Sequence, residues 1–152
     1  MTQYWLMKSE PDVYSIDDLE KDGTTPWEGI RNYQARNFMR DDMKIGDKVL
    51  FYHSNAKPPG IVGLAEVSRL AYPDYFAWDT TSKYYDPKST QDTPIWKMVD
   101  VKFISKFNSL LSLNQIREDL NLQDMMVIRK GSRLSIQKVS KKDYHYIVST
   151  YS

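Results

Sequence analysis

The sequence predicts one α+β domain over residues 1–152, built as a mixed, partly closed β-barrel with short helices around it. The chain has 152 residues, which is the size of one domain with a single main core. Predicted strands outnumber predicted helices, and the two types follow one another without a regular βαβ rhythm. A doubly wound parallel sheet is therefore disfavoured, and a barrel-like mixed sheet is favoured.

The strands are predicted from alternation and β-branched content. In the first strand, residues 4–8, Tyr4 and Leu6 face one way while Trp5 and Met7 face the other. Turn residues bound each of the later apolar segments. These later strands are predicted over residues 48–52, 61–70, 96–104 and 133–139.

The short helices are predicted from their capping residues. A hydroxyl or amide side chain at the N-cap accepts a hydrogen bond from a backbone N–H in the first helical turn. Two of the pairs have the spacing of a capping box. The predicted caps are Ser15 with Asp18, Asn32, Ser112 with Gln115, and Ser140 with Asp143.

Composition excludes several classes of site. The chain has no cysteine and only two histidines, His53 and His145, so disulfides, thiolate sites and histidine-rich metal centres are excluded. No apolar stretch is long enough to span a membrane, and the N-terminus lacks the features of a signal peptide. We therefore expect a cytoplasmic protein without a membrane partner, a metal or another cofactor.

Charge and aromatic residues are unevenly distributed. The net charge is only +1, but residues 129–142 contain six basic residues and no acidic one. Aromatic residues make up 13% of the chain, and several lie beside polar residues. The long polar and aromatic segment 71–93 has no apolar periodicity, and connections of this length are often functional. These features indicate an anionic, planar partner, although a solvated surface and core aromatics also fit them.

Residues Lys8, Ser9 and Glu10 follow the first predicted strand. Pro11 favours an extended conformation of Glu10, which would direct its carboxylate. A carboxylate can accept a hydrogen bond from the exocyclic amine of cytosine, and Lys8 could bind a phosphate or a carbonyl. The alternative is a turn with solvated charges.

The segment Trp27–Asn37 combines an aromatic residue, a glycine and a helix start. Gly29 permits a close backbone approach, and Arg31 and Arg36 flank a helix N-terminus that favours anions. This combination suits a nucleotide whose base stacks on Trp27. The alternative is that Trp27 covers the helix.

The segment Tyr52–Asn55 places His53 at the end of a strand, where it could act as a general base with Glu10. No nucleophile motif of the G-x-S-x-G type, no P-loop and no H-E-x-x-H motif accompanies it. We therefore expect a binding protein rather than an enzyme, with a small hydrolase or nucleotide-processing enzyme as the alternative.

A basic segment precedes the last predicted strand. Its cations and backbone N–H groups could bind phosphate, and the alternative is an exposed hairpin entry. Its predicted phosphate-binding residues are Arg129, Lys130, Ser132 and Arg133.

Sequence blocks from Tyr4 to about Tyr146 resemble the EVE domain family. They are YWLMKSEPDVYSIDDL, WEGIRNYQARN, IGDKVLFYHSN, GIVGLAEV, YYDPKS and RKGSRLSIQKVS. The resemblance implies a PUA-like fold, similar to YTH and ASCH domains. It also implies a reader of modified bases, notably methylated or hydroxymethylated cytosine in DNA, with RNA binding in the wider group.

Carried over by position, the resemblance implies a base pocket without a catalytic residue. A flipped base would enter it between aromatic faces, one being Trp27 and the other Tyr75 or Trp78 from the long loop. Arg31, Arg36 and the basic segment would hold phosphates. The implied pocket residues are Lys8, Ser9, Glu10, Trp27, Gly29, Asn32, Tyr33, Tyr52, His53, Ser54, Tyr75 and Trp78.

Overall fold

A computed structural model describes residues 1–152, and its strands form one mixed sheet. The sheet has the order β2-β5-β4-β3-β1-β6, in which β1 and β3 are parallel and all other neighbours are antiparallel. The strands are β1 (Tyr4–Ser9), β2 (Thr24–Pro26), β3 (Lys48–His53), β4 (Gly60–Pro73), β5 (Lys97–Ser112) and β6 (Ile136–Val139).

The two edge strands of the sheet, β2 and β6, do not pair with each other. The sheet is therefore not closed into a barrel. The predicted α+β class, with a mixed sheet and short peripheral helices, is confirmed.

Four short α-helices surround the sheet, and the predicted caps start them. Ser15 and Ser112 each form a complete capping box, while Asn32 and Ser140 accept from backbone N–H groups of the first turn. The helices are α1 (Ile16–Asp22), α2 (Tyr33–Asn37), α3 (Leu113–Glu118) and α4 (Lys141–Tyr151). No helix combines the length and apolar character that a membrane span requires.

The two faces of the sheet carry separate cores, because successive strand residues point to opposite sides. Trp5 and Met7 of β1 belong to the core on the side of α1 and α2, and Leu6 belongs to the core beneath α3 and α4. The predicted alternation of the first strand is therefore confirmed.

Four strand predictions differ from the structure. β4 continues to Pro73, three residues beyond the predicted end at residue 70. β5 continues eight residues beyond the predicted end at residue 104, because it pairs with β4 as far as Ser112, which lies opposite Gly60. β2 was not predicted, since its three residues are too few to show a pattern. β6 begins at Ile136 rather than Arg133, because residues 130–131 form a turn and residue 135 lies in a bend.

Candidate functional site

A cavity of about 520 Å³ opens beyond the carboxyl ends of β1 and β3. The two strands are parallel and in register, with Ser9 opposite His53, so the residues that follow them meet at one edge of the sheet. The cavity is lined by Lys8, Ser9, Glu10, Val13, Tyr14, Thr25, Pro26, Trp27, Glu28, Gly29, Ile30, Arg31, Ser54, Tyr84, Arg133 and Ser135.

The end of β1 supplies polar groups to the cavity. The Ser9 hydroxyl donates to the carbonyl of Tyr14 at 2.6 Å, which ties the strand end to the start of α1. Glu10 is exposed, and its Oε1 accepts from Asn55 Nδ2 at 2.7 Å. Burial lowers the pKa of Lys8, whose Nζ lies 3.4 Å from the carbonyl oxygen of Ser132. Lys8 forms no ion pair, so its charge is available to a ligand.

Trp27 forms a buried wall of the cavity. Only 6% of the residue is exposed, and its ring packs edge-on against Phe51 with ring centroids 5.5 Å apart. Its backbone N–H donates to the carbonyl of Val99 at 2.7 Å, which continues the pairing of β2 with β5. Trp27 is therefore both a core residue and a cavity-lining residue.

Another wall of the cavity comes from the long loop, through Tyr84. Arg31 holds this part of the loop: its Nε and Nη2 donate to the carbonyl of Tyr84 at 3.1 and 2.6 Å. The fully buried Asp74 accepts from Arg31 Nη1 and from the backbone N–H of Gly29, each at 2.9 Å. Gly29 has φ +84°, and a Cβ there would lie 2.6 Å from the Tyr84 ring. The glycine is required by its backbone conformation and by this close approach.

Glu28, the residue between Trp27 and Gly29 in sequence, also lines the cavity. Its carboxyl group forms no ion pair and accepts no hydrogen bond from another residue's side chain. Burial is the main cause that raises its pKa, and the nearby charge of Asp74 adds to this. Sequence reasoning passed over Glu28, although it stands between two residues that were predicted to form the pocket.

The structure brings eight of the predicted site residues to this cavity and places the others elsewhere. The residues at the cavity are Lys8, Ser9, Glu10, Trp27, Gly29, Arg31, Ser54 and Arg133. Those that do not line it are Asn32, Tyr33, Arg36, Tyr52, His53, Tyr75, Trp78, Arg129, Lys130 and Ser132.

Each of the predicted pocket residues outside the cavity has another contact. Asn32 caps α2, and the exposed Tyr33 stacks on Trp96 with ring centroids 4.8 Å apart. Tyr52 faces the core beneath α3 and α4, because it alternates along β3 with Phe51, which faces the other core. Nε2 of His53 accepts from the backbone N–H of Ile16 at 3.1 Å.

The two loop aromatics that were predicted to complete the pocket lie in a short 3₁₀ turn, Tyr75–Trp78. This turn begins at Asp74, whose Oδ1 accepts from the backbone N–H of Phe76. The chain then continues to Tyr84, which reaches the cavity. The loop aromatic at the cavity is thus Tyr84, a position that no local pattern distinguishes from its neighbours.

The predicted phosphate-binding residues fall into two groups. The guanidinium groups of Arg31 and Arg36 are largely occupied by protein acceptors, Arg36 by Asn37 Oδ1 and the carbonyl of Ile95. Both contribute to an aromatic stack: Arg36 lies 4.8 Å from the Tyr33 ring centroid, and Arg31 lies 5.6 Å from that of Trp96.

The second group is exposed and unpaired. Arg129, Lys130 and Arg133 are exposed and form no ion pair, and Arg133 lines the cavity. Ser132 lies among them, and its hydroxyl accepts from Gln137 Nε2 at 3.0 Å. These cations are therefore free to bind an anion, and Arg133 can do so at the cavity.

The residues of the cavity that sequence reasoning missed come from several parts of the chain. Thr25 and Pro26 belong to the unpredicted strand β2, and Tyr14 precedes α1. Tyr14 donates to Asp22 at 2.8 Å, and burial raises its pKa to about 12. Two of the missed residues, Glu28 and Ile30, could have been predicted, because they are direct sequence neighbours of Gly29. The missed residues are Val13, Tyr14, Thr25, Pro26, Glu28, Ile30, Tyr84 and Ser135.

Comparison with known proteins finds relatives over nearly the whole chain. Thymocyte nuclear protein 1 from Homo sapiens is 38% identical, with 98% of this chain and 74% of the relative aligned. The same protein from Danio rerio is 39% identical over 95% of this chain and 70% of its own length.

Solved structures show the same fold. A hypothetical protein from Leishmania major is 54% identical, with a TM-score of 0.93 over 98% of this chain and 94% of that chain. Human THYN1, in complex with DNA that contains 5-methylcytosine, is 39% identical, with a TM-score of 0.90 over 97% of this chain and 96% of that chain. A Zymomonas mobilis ASCH protein, 9% identical with a TM-score of 0.56 over 99% of both chains, shares only the fold.

The family model for the EVE domain matches residues 3–150. This match covers all six strands, α1 to α3 and α4 up to residue 150, together with every residue that lines the cavity. The resemblance of the sequence blocks is thus confirmed by the family model, by the relatives and by the fold. The chain belongs to the EVE domain family.

Proposed function

We propose that this protein binds nucleic acid and recognises a modified base, of the methylated or hydroxymethylated cytosine type in DNA, flipped into the cavity. The observation that supports this most is the cavity itself, in which aromatic walls, unpaired polar groups and a cationic rim occur together. Its volume of about 520 Å³ lies in the range of about 300–1,000 Å³ that is common for small-ligand sites.

The cavity suits a planar base. Trp27 and Tyr84 offer aromatic surface from two separate segments, and a flipped base gains stacking energy from such surfaces. Lys8, Glu28 and Ser54 offer a cation, an acceptor and a hydroxyl to the polar edge of the base. These groups make a base a better fit than an acyl chain or another wholly apolar ligand.

The rim suits a phosphate backbone. Arg133 at the cavity, with Arg129 and Lys130 beside it in sequence, presents unpaired cations to the solvent. Contacts of this kind hold the backbone and carry no information on sequence. The related human THYN1 was crystallised with DNA containing 5-methylcytosine, which supports DNA as the partner.

The experiment is a binding titration with oligonucleotides that differ in one base. Fluorescence anisotropy with cytosine, 5-methylcytosine and 5-hydroxymethylcytosine in one DNA context, and in the matching RNA, tests the proposal. We expect tighter binding of one modified DNA than of unmodified DNA. Equal affinity for all the DNA ligands, or tighter binding of the RNA, would contradict it.

The alternative function, an enzyme using Glu10 and His53, has less support. His53 does not line the cavity, and its Nε2 accepts a backbone hydrogen bond, so this nitrogen is not free to take a proton. We expect no turnover when the protein is incubated with modified nucleosides and oligonucleotides and the products are analysed by mass spectrometry. Catalytic product that is lost in His53→Ala would instead establish an enzyme.

A further inference from the structure

Glu28 is held between two anchored backbone positions. Trp27 before it donates its N–H to the carbonyl of Val99 at 2.7 Å, and Gly29 after it donates to Asp74 at 2.9 Å. The carboxyl group therefore extends from a backbone that cannot shift far without breaking one of these bonds. Such pre-organisation is what a recognition residue requires.

The three carboxylates around the cavity differ in what they already bind. Asp74 is fully buried and accepts from Gly29, Arg31 and Phe76. Glu10 is exposed and accepts from Asn55. Glu28 is half-buried and lacks a side-chain donor, so it is the carboxylate at the cavity that is both partly desolvated and without a side-chain partner.

A partly desolvated carboxylate without a donor gains more from a new hydrogen bond than a solvated one does. Burial raises the pKa of Glu28, as does the charge of Asp74, while its own backbone N–H and Lys83 act in the opposite direction. A more basic carboxylate is also a stronger acceptor. A ligand that places an N–H donor beside the Glu28 carboxylate is therefore favoured over one that places an acceptor oxygen there.

We propose, building on the proposed function, that Glu28 selects cytosine-type over thymine-type bases by accepting a hydrogen bond from the exocyclic amine. An ionised carboxylate can only accept hydrogen bonds. Cytosine presents an amino group at position 4, whereas thymine presents an acceptor oxygen there. At position 4, the carboxylate attracts the amino group of cytosine and repels the oxygen of thymine.

The natural ligand pair for the test is 5-methylcytosine and thymine, because both carry the 5-methyl group and differ along the edge that includes position 4. Each base is placed in the same DNA duplex opposite an abasic site, so that neither has a pairing partner to lose on flipping. Anisotropy titrations then give the affinity ratio of the two ligands. For the wild-type protein we expect 5-methylcytosine to bind roughly tenfold or more tightly than thymine.

Glu28→Gln is the deciding variant, since it keeps the shape of the side chain. The amide can present its oxygen to an amine or its N–H₂ group to a carbonyl, so it accommodates both bases. We expect the affinity ratio to fall to near unity, chiefly because thymine binds more tightly. Glu118→Gln is the matched control, since Glu118 is exposed on α3 and does not line the cavity. We expect this variant to keep the wild-type ratio.

Two outcomes would overturn the role of Glu28: a wild-type ratio near unity, or a wild-type ratio that survives in folded Glu28→Gln. Thermal melting of each variant confirms that the compared proteins are folded. The preference for 5-methylcytosine over cytosine, measured in the same duplex, tests the proposed function separately. Glu28 can therefore fail as the selecting residue while methyl recognition stands, and the reverse also holds.

Discussion

Gly29 and the ring of Tyr84, which both line the cavity, approach each other closely. The φ of Gly29 is +84°, which is disfavoured for residues that carry a side chain, and a Cβ at this position would lie 2.6 Å from the Tyr84 ring. We expect Gly29→Ala to displace Tyr84 and to weaken oligonucleotide binding by about tenfold or more, in anisotropy titrations, because the stacking surface moves.

Gly46→Ala is the matched control for Gly29→Ala. Gly46 has a similar φ of +94°, but no atom lies within 4 Å of a Cβ placed there. This variant should lose stability through backbone strain, by about 1–2 kcal/mol, and keep its affinity. Equal affinities of the two variants would show that the position of Tyr84 does not matter for binding.

Trp27 contributes to both stability and binding, because it is 6% exposed and also lines the cavity. Trp27→Ala should lower the free energy of unfolding by about 3–5 kcal/mol, as for other large core truncations. It should also weaken binding by about 1–3 kcal/mol through lost stacking. Chemical denaturation measures the first effect, and titration at a temperature where the variant stays folded measures the second.

Trp27→Phe separates these two effects, since it keeps an aromatic core residue with a smaller stacking surface. Trp5→Phe is its control: Trp5 is fully buried in the same core and does not line the cavity. Both should lose stability, and only Trp27→Phe should lose affinity. Unchanged affinity in folded Trp27→Phe would exclude a stacking role.

At the scale of elements, the basic segment before β6 is expected to contact phosphates. Arg129 and Arg133 are exposed and unpaired. Each replacement by Ala should flatten the slope of log affinity against log salt by about 0.9, the value for one phosphate contact in B-form DNA. The loss should be the same for every base modification.

Lys142→Ala is the charge-matched control for these arginines. Lys142 is exposed on α4, which packs against the core on the other face of the sheet from Trp27. This variant should keep the wild-type slope. A loss of affinity confined to one base modification would make Arg129 or Arg133 a base-reading residue instead.

The elements were predictable where a local signal sets them. The capping boxes of Ser15 and Ser112 start α1 and α3, because a side chain satisfies a backbone N–H within the same turn. By contrast, β2 depends on pairing with β5, a partner more than 70 residues away in sequence. Its three residues have no local preference strong enough to predict a strand.

At the scale of the whole molecule, His53 makes stability depend on pH. Its Nε2 accepts the N–H of Ile16, which links the end of β3 to the start of α1. Burial lowers the pKa of His53 below its ordinary value of 6.5. Between the folded and unfolded pKa values of His53, the unfolded chain therefore binds more protons than the folded protein. The contribution of His53 to stability is fully present above about pH 6.5 and is lost as the pH falls through the folded pKa.

His53→Gln should flatten this decline, because the variant does not titrate. Chemical denaturation at pH values from 7.5 down to 5 measures the slope of the unfolding free energy against pH. His145→Gln, at an exposed position of α4, should keep the slope of the wild-type protein. A wild-type slope in His53→Gln would contradict the assignment of this decline to His53.

Local sequence signals were enough to predict the fold class, the starts of the four α-helices and the part of the site around Lys8–Glu10 and Trp27–Gly29. These depend on contiguous residues, such as Ser15 with Asp18 or Trp27 with Gly29, whose chemistry and spacing act locally. Lys8, Ser9 and Glu10 could be placed at a strand end for the same reason.

The side chains that complete the cavity depend on long-range contacts and could not be predicted from the sequence. Tyr84 reaches it because Arg31 holds the carbonyl of Tyr84, a bond across 53 residues of sequence. Tyr52 is absent from it because strand alternation turns that ring to the other core. Arg31 and Asp74 are paired at 2.9 Å, so an arginine that looked free for phosphate holds the loop instead. Long-range contacts of this kind leave no periodicity or spacing in the sequence.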